Sequence, residues 1–351
     1  MRAKTPEDWP VRGRWMSLFQ AAGLLFGSWL LTACGGPVDA DAPENGAAVA
    51  SDAAATSEAL RAGRAGRPAG VPTDYVATPH GYFHPSCVVE VGDDEQLGED
   101  GALTRPDGRR RDLSSCRHAR FDRRGRFLGG GADASTPAPP PTVNGWVASY
   151  SSTSVGPVRS IAASWRVPQP PSLAGTQTLY FFPGLEPAAT GDIILQPVLA
   201  WNGYNDQAWT ITSWNCCKDA NVLHSRPRTV RVGETISGTV SGSRCNAQGV
   251  CSSWTVRTTS SSGVSTTLST SSYGEVLDWV FGGAVEAYGT DSCSQYPGNG
   301  QLAFTSIVVR RFDGVVSAPT WVPMSYGGSP DCMARVDNLG GSGVAFNWAT
   351  Q

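Results

Sequence analysis

From Asn144 onward, apolar and polar side chains alternate in short runs broken by Gly, Ser, Thr and Pro. This period-two pattern predicts β-strands. The runs fall at 145–150, 160–168, 178–182, 193–201, 209–214, 230–232, 235–240, 254–259, 264–268, 279–288, 302–312 and 344–348. Ser262-Gly263 separates two of them as a hairpin turn. No segment of helical period interrupts the series, and the expected architecture is all-β, a two-sheet sandwich or a barrel.

The first part of the chain reads differently. Arg2, Lys4, Arg12 and Arg14 precede a mostly apolar run from about residue 18 to 31. Leu31-Thr32-Ala33-Cys34-Gly35 then resembles a bacterial lipoprotein signal, which implies cleavage before Cys34 and lipid attachment to it. The expected organisation is a signal peptide over 1–33, a flexible tether over 34–72, a small disulfide-containing segment with a Pro-rich linker over 73–141, either packed on the main domain or a removable pro-segment, and the β domain over 142–351. An exported protein held at the outer membrane or cell surface follows. The arginines from Arg109 to Arg126 are read as a solvated face, with anionic lipid head groups as the alternative.

Charged residues make up 16% of the 351 and the net charge is −3, so no basic surface for nucleic acid is implied. Setting Cys34 aside leaves eight cysteines, an even set that reads as disulfides in an exported chain. Cys245 with Cys251 suits a hairpin staple, and Cys87 with Cys116 a loop closure. Adjacent Cys216 and Cys217 are expected to pair with Cys293 and Cys332. With no CxxC pair and scattered histidines (His80, His84, His118, His224), neither a metal site nor a cofactor is expected. A monomer is expected.

Polar side chains inside apolar strands are the informative ones. Gln196 shares a strand face with Ile194 and Val198, and Glu286 shares one with Gly282 and Ala284. Glu186 is a third candidate, placed in a turn by Pro187. At these residues the chain resembles the glutamic peptidases of the eqolisin type. Asn144-Gly-Trp146, Ser164-Trp-Arg-Val-Pro168, Ile194-Leu-Gln196, Trp209 to Trp214, Val232-Gly-Glu-Thr-Ile236, Trp279 to Glu286 and Leu302-Ala-Phe-Thr-Ser-Ile307 follow the family's order.

The resemblance implies a concanavalin A-like, lectin-like jelly-roll sandwich and acid-active hydrolysis of polypeptides. It makes Glu286 the water-activating carboxylate and Gln196 the oxyanion-stabilising amide, and leaves Trp201, Trp209, Trp214 and Glu186 to line the substrate. Departures from the family pattern occur at Gly184-Leu-Glu186, at the strand from Trp209 to Trp214, at Pro197 beside the glutamine, and at Gly282-Gly-Ala-Val285 before Glu286. Two alternatives stand beside this reading: a carbohydrate-binding module using exposed tryptophans, and a glycosidase using Glu186 with Glu286.

Overall fold

The computed structural model describes residues 67–130, 146–175, 177–204, 207–326 and 332–351. The expected signal peptide, Cys34, most of the tether and the Pro-rich linker lie outside them. Twenty-four strands follow one another among the described residues. The first eight are short: β1 Val76–Thr78, β2 Gly81–Phe83, β3 Val88–Val91, β4 Gln96–Leu97, β5 Ala102–Thr104, β6 Arg110–Asp112, β7 Arg120–Phe121 and β8 Phe127–Gly129. Then come β9 Trp146–Ser152, β10 Val158–Arg166, β11 Thr178–Glu186, β12 Ile194–Trp201, β13 Trp209–Cys216, β14 Val222–Ser225, β15 Arg228–Val230 and β16 Thr235–Cys245. The chain ends with β17 Cys251–Ser260, β18 Ser265–Thr270, β19 Trp279–Tyr288, β20 Gln301–Arg311, β21 Val316–Ser317, β22 Val322–Ser325, β23 Met333–Asn338 and β24 Val344–Trp348. Helix among the described residues is limited to short 3-10 turns, and none is long and apolar enough to cross a membrane.

Two mixed, mainly antiparallel sheets stack into a sandwich. One runs β22-β9-β19-β11-β12-β13-β14-β3, the other β23-β24-β20-β10-β16-β17-β18-β4-β5-β6. Alternation along each strand sends one set of side chains between the sheets. Phe181, Leu195, Leu199, Ile211 and Val285 meet Trp165, Val240, Trp254 and Phe304 there. Serine, threonine and asparagine on this inner side are satisfied across the gap: Asn215 Nδ2 donates to Thr270 Oγ1 at 2.7 Å and to the Ser271 carbonyl at 2.9 Å. The alternation that marked these strands in the sequence thus follows from sheet-on-sheet burial.

Residues 67–130 do not stand apart. β3 adds to the edge of the first sheet, parallel to β14, and β4 adds to the second beside β18. β1, β2, β7 and β8 form a small sheet of their own over the outer side of the first. There Val71, Tyr75, Val76, Tyr82 and Phe83 join a second apolar cluster with Tyr180, Phe182, Val198, Trp214, Phe281 and Tyr288.

The disulfides are Cys87–Cys116, Cys216–Cys217, Cys245–Cys251 and Cys293–Cys332. The expected staple and loop closure are present. The adjacent cysteines, however, pair with each other, which corrects the sequence expectation: the intervening peptide is cis and brings their Cα atoms to 3.1 Å. Four disulfides fit an oxidising, exported setting.

Candidate active site

The outer face of the first sheet carries the polar residues singled out above. On β12, Ile194, Gln196, Val198 and Ala200 point to this face, while Leu195, Leu199 and Trp201 point between the sheets. Pro197 faces the inner side, where it packs on β16. β12 pairs with β13 without a break from Ile194↔Cys216 to Trp201↔Trp209. Toward β11 the ladder is interrupted between Phe181↔Leu199 and Leu185↔Leu195. Pro183 and Pro197 lie in that interval, and neither has an N–H to offer.

Gln196 is 0% exposed. Its Nε2 donates to the main-chain carbonyl of Pro79 at 3.4 Å, and its Oε1 has no partner among the described residues. Glu286 on β19 is also 0% exposed; its Oε2 accepts from the Tyr288 hydroxyl at 3.0 Å, and its Oε1 has no hydrogen-bond partner among the described residues. Burial lifts the Glu286 carboxyl well above the usual range. Tyr288, the Arg123 guanidinium and Trp146 oppose that rise, and the Glu186 carboxylate adds to it. Glu186 is 4% exposed, and desolvation raises its carboxyl too. It is the last residue of β11 instead of lying in a turn.

Register decides which of these meet. Glu286 lies opposite Tyr180, which lies opposite Ala200. Ala200 is four residues along β12 from Gln196. Glu286 is therefore about 13 Å along the strands and roughly 10 Å across them from Gln196. Leu185↔Leu195 places Glu186 opposite Ile194, making Glu186 a diagonal neighbour of Gln196 on the same face. Such diagonals span about 7–8 Å between Cα atoms.

Of the expected substrate-lining residues, Trp214 lies on this face, directly opposite Gln196. Trp201 and Trp209 face each other inside the sandwich, rings 5.2 Å apart, away from Gln196. Trp146, Trp165 and Trp254 are buried as well, so none of these six indoles offers an open platform to a sugar ring.

Several neighbours went unread in the sequence. Tyr288 was findable, because it stands two residues from Glu286 on one strand. Tyr180 needed the register. Arg123 belongs to the arginine run read as solvated; Arg109, Arg110 and Arg111 are indeed exposed and paired with acids, but Arg123 turns inward, half-buried. Asp122 holds that turn by accepting from the Arg124 and Arg126 amides, each at 2.8 Å. His80 brings a ring nitrogen within 4.8 Å of the Cys216 and Cys217 sulfurs. Joined in a disulfide, those sulfurs lack the thiolate charge a metal requires. A separate cleft of about 690 Å³, lined in part by Arg166, Gln169, Asn299 and Thr305, carries no carboxylate, histidine or cysteine.

No family profile and no curated protein matches this sequence. Among solved structures, the chain is similar to scytalido-glutamic peptidase with a transition state analog inhibitor, at 15% identity and a TM-score of 0.42, over 58% of this chain and 98% of that one. It is similar to SCP-B, a member of the Eqolisin family of peptidases in a complex with the tripeptide Ala-Ile-His, at 15% identity and a TM-score of 0.40, with the same coverage. Aspergilloglutamic peptidase from Aspergillus niger gives 17% and 0.36, over 49% of this chain and 99% of that one.

Proposed function

We propose that this chain is an endopeptidase of glutamic type, acting on polypeptides. The observation that carries the reading is that the Gln196 amide already donates to a main-chain peptide carbonyl, on a face that also holds a desolvated carboxyl next to it. In hydrolysis, a water attacks the peptide carbon while Glu186 takes its proton, and Gln196 Nε2 donates to the oxyanion. The C–N bond then breaks, the Glu186 proton goes to the leaving amine, and the carboxylate is regenerated. A carboxyl with a raised pKa suits both proton transfers. The diagonal register supports Glu186 over Glu286 as the proton carrier, with Glu286 farther along the groove.

Because residues 67–130 overlie this face, the test is digestion of a denatured protein at mildly acidic pH by chain cut between residues 130 and 146. Gln196→Ala should lower kcat by about 10²–10³, and Glu186→Gln should abolish turnover, with pepstatin and chelators harmless. Loss in Glu286→Gln with Glu186→Gln active would reassign the base. Full activity in all three variants would end the peptidase reading. We also propose that Cys34 is lipidated and anchors the protein at the outer membrane; a labelled fatty acid should mark the parent and not Cys34→Ser.

A further inference from the structure

The outer side of the second sheet carries a different chemistry from the face around Gln196. β10, β16, β17, β18 and β20 contain no Asp or Glu, although the whole chain has a net charge of −3. Their outward positions hold hydroxyls and guanidiniums instead. Thr305, Ser164, Ser237, Thr259 and Ser265 stand side by side across the sheet. Arg166, Arg257 and Arg310 are exposed on the same side. Their hydrogen bonds go to the Gly233 carbonyl at 3.2 Å, Thr259 Oγ1 at 3.3 Å and the Gly314 carbonyl at 3.4 Å, and none makes an ion pair among the described residues. Arg109, Arg110 and Arg335, by contrast, each hold an acid.

The 690 Å³ cleft lies on this side, at Arg166. Its walls are the segment 166–169, the turn 232–235, and Asn299 with the start of β20. Main-chain bonds fix the first two walls together: the Val167 amide donates to the Glu234 carbonyl and the Gly233 amide to the Val167 carbonyl, both at 2.9 Å. Asn299 Oδ1 accepts from the Gln169 amide and ties on the third. The cleft is therefore preformed, so binding need not order it. Its volume falls within the roughly 300–1,000 Å³ usual for ligand sites. Arg166 keeps further N–H donors beyond its bond to Gly233. Glu234, beside Gly233 in the chain, is engaged by the Ser262 hydroxyl at 3.0 Å.

We propose that this cleft binds an acidic polysaccharide through a uronic acid unit, the sugar carboxylate on Arg166 and the polymer continuing over the hydroxyl rows. A planar carboxylate accepts two parallel hydrogen bonds from a guanidinium. The Gln169 and Gln301 amides and the Thr235 hydroxyl both donate and accept, as sugar hydroxyls require. Arg257 stands four residues along and two strands over from Arg166, about 16 Å away, where it can meet a second acidic unit of one chain. Nucleic acid fits less well, because no aromatic side chain of these strands points outward to stack a base. A headgroup layer is flat and would leave the cleft unfilled. The site is on the opposite sheet from Gln196 and does not depend on the peptidase reading.

The experiment uses the full chain. Calorimetry follows titration with trigalacturonic acid, and affinity electrophoresis uses gels holding polygalacturonate, its methyl ester or dextran. Polygalacturonate alone should retard the parent. Arg166→Ala should weaken trigalacturonate binding about ten- to hundredfold, the loss of one charge-assisted pair. Ala303→Trp, at an outward position of β20 lining the cleft, should fill it and abolish binding with Arg166 intact. Arg109→Ala, at an exposed arginine outside the sheet face, should bind like the parent. Melting temperatures confirm that each variant is folded. Equal retardation by the methyl ester overturns the proposal, since the carboxylate is then not what is read. Parent-like binding by Arg166→Ala, or no binding to polygalacturonate, also overturns it. Equal or tighter binding to anionic phospholipid vesicles or single-stranded DNA does so too, making the face an unselective cationic surface.

Discussion

Gly238 on β16 couples the sandwich interior to the candidate site. A Cβ built there lies 2.7 Å from Pro197 Cγ, 2.7 Å from Trp165 Cη2 and 2.9 Å from Pro197 Cβ. Carbon pairs settle at about 3.5–4.0 Å, so Gly238→Ala requires a retreat of roughly 0.8 Å. Trp165 is packed in the inter-sheet core, which leaves the Pro197 ring, and with it β12, to yield. Overpacking of this kind costs about 1–3 kcal/mol, or about 1–4 °C in melting temperature for a chain this size. Gln196 adjoins Pro197, and catalytic groups tolerate only about 0.5 Å of displacement. A kcat loss of about ten- to a hundredfold in the cut chain should accompany the thermal shift. Gly263→Ala is the control: no atom lies within 4 Å of its Cβ, and its φ of +89° should cost about 1–2 kcal/mol locally while leaving kcat alone. Scanning calorimetry and single-substrate kinetics decide the matter. An unchanged melting temperature in Gly238→Ala refutes the packing argument; a lowered one with unchanged kcat refutes the link to Gln196.

Three further outcomes follow from burial. His80 is held down to about 4, first by desolvation and then by Arg120. Its folded value is below the unfolded 6.5, so its contribution is present above pH 6.5 and lost as pH falls through 4, up to about 3 kcal/mol; His80→Asn should flatten the acid limb of a pH–stability curve, and an unaltered limb counts against this. Glu286 has the opposite sign: raised by burial, it contributes below its unfolded pKa and loses that as pH rises, so Glu286→Gln should melt higher than the parent near neutrality and equal it in acid, whereas a lower neutral melting temperature would contradict the assigned cause. Asn215→Ala strands Thr270 and the Ser271 carbonyl and should cost about 1–3 kcal/mol by urea denaturation, with no loss meaning that those groups find other partners.

The strands were legible where burial is one-sided or complete, as in 279–288 and 344–348. β14 was not: four residues following a 3-10 turn give too little alternation. β22 contains Pro323, which demotes it from sequence and is tolerated because β22 is an edge strand. Period two gave the same-strand neighbours of Gln196 and of Glu286, but not their separation, which depends on register across β11. Pro187 suggested a turn at Glu186, yet the strand extends to Glu186 and ends there. The inward turn of Arg123 depends on Asp122, a contact that composition does not encode.

The placement of β3 and β4 carries one more consequence. Each borders a different sheet, so departure of residues 67–130 would bare β14 and β18 together. Two rows of main-chain donors and acceptors would then face solvent, inviting strand-to-strand association between molecules. In that respect the segment shields the resting protein from self-assembly, and a freshly cut population should be most prone to aggregate when crowded.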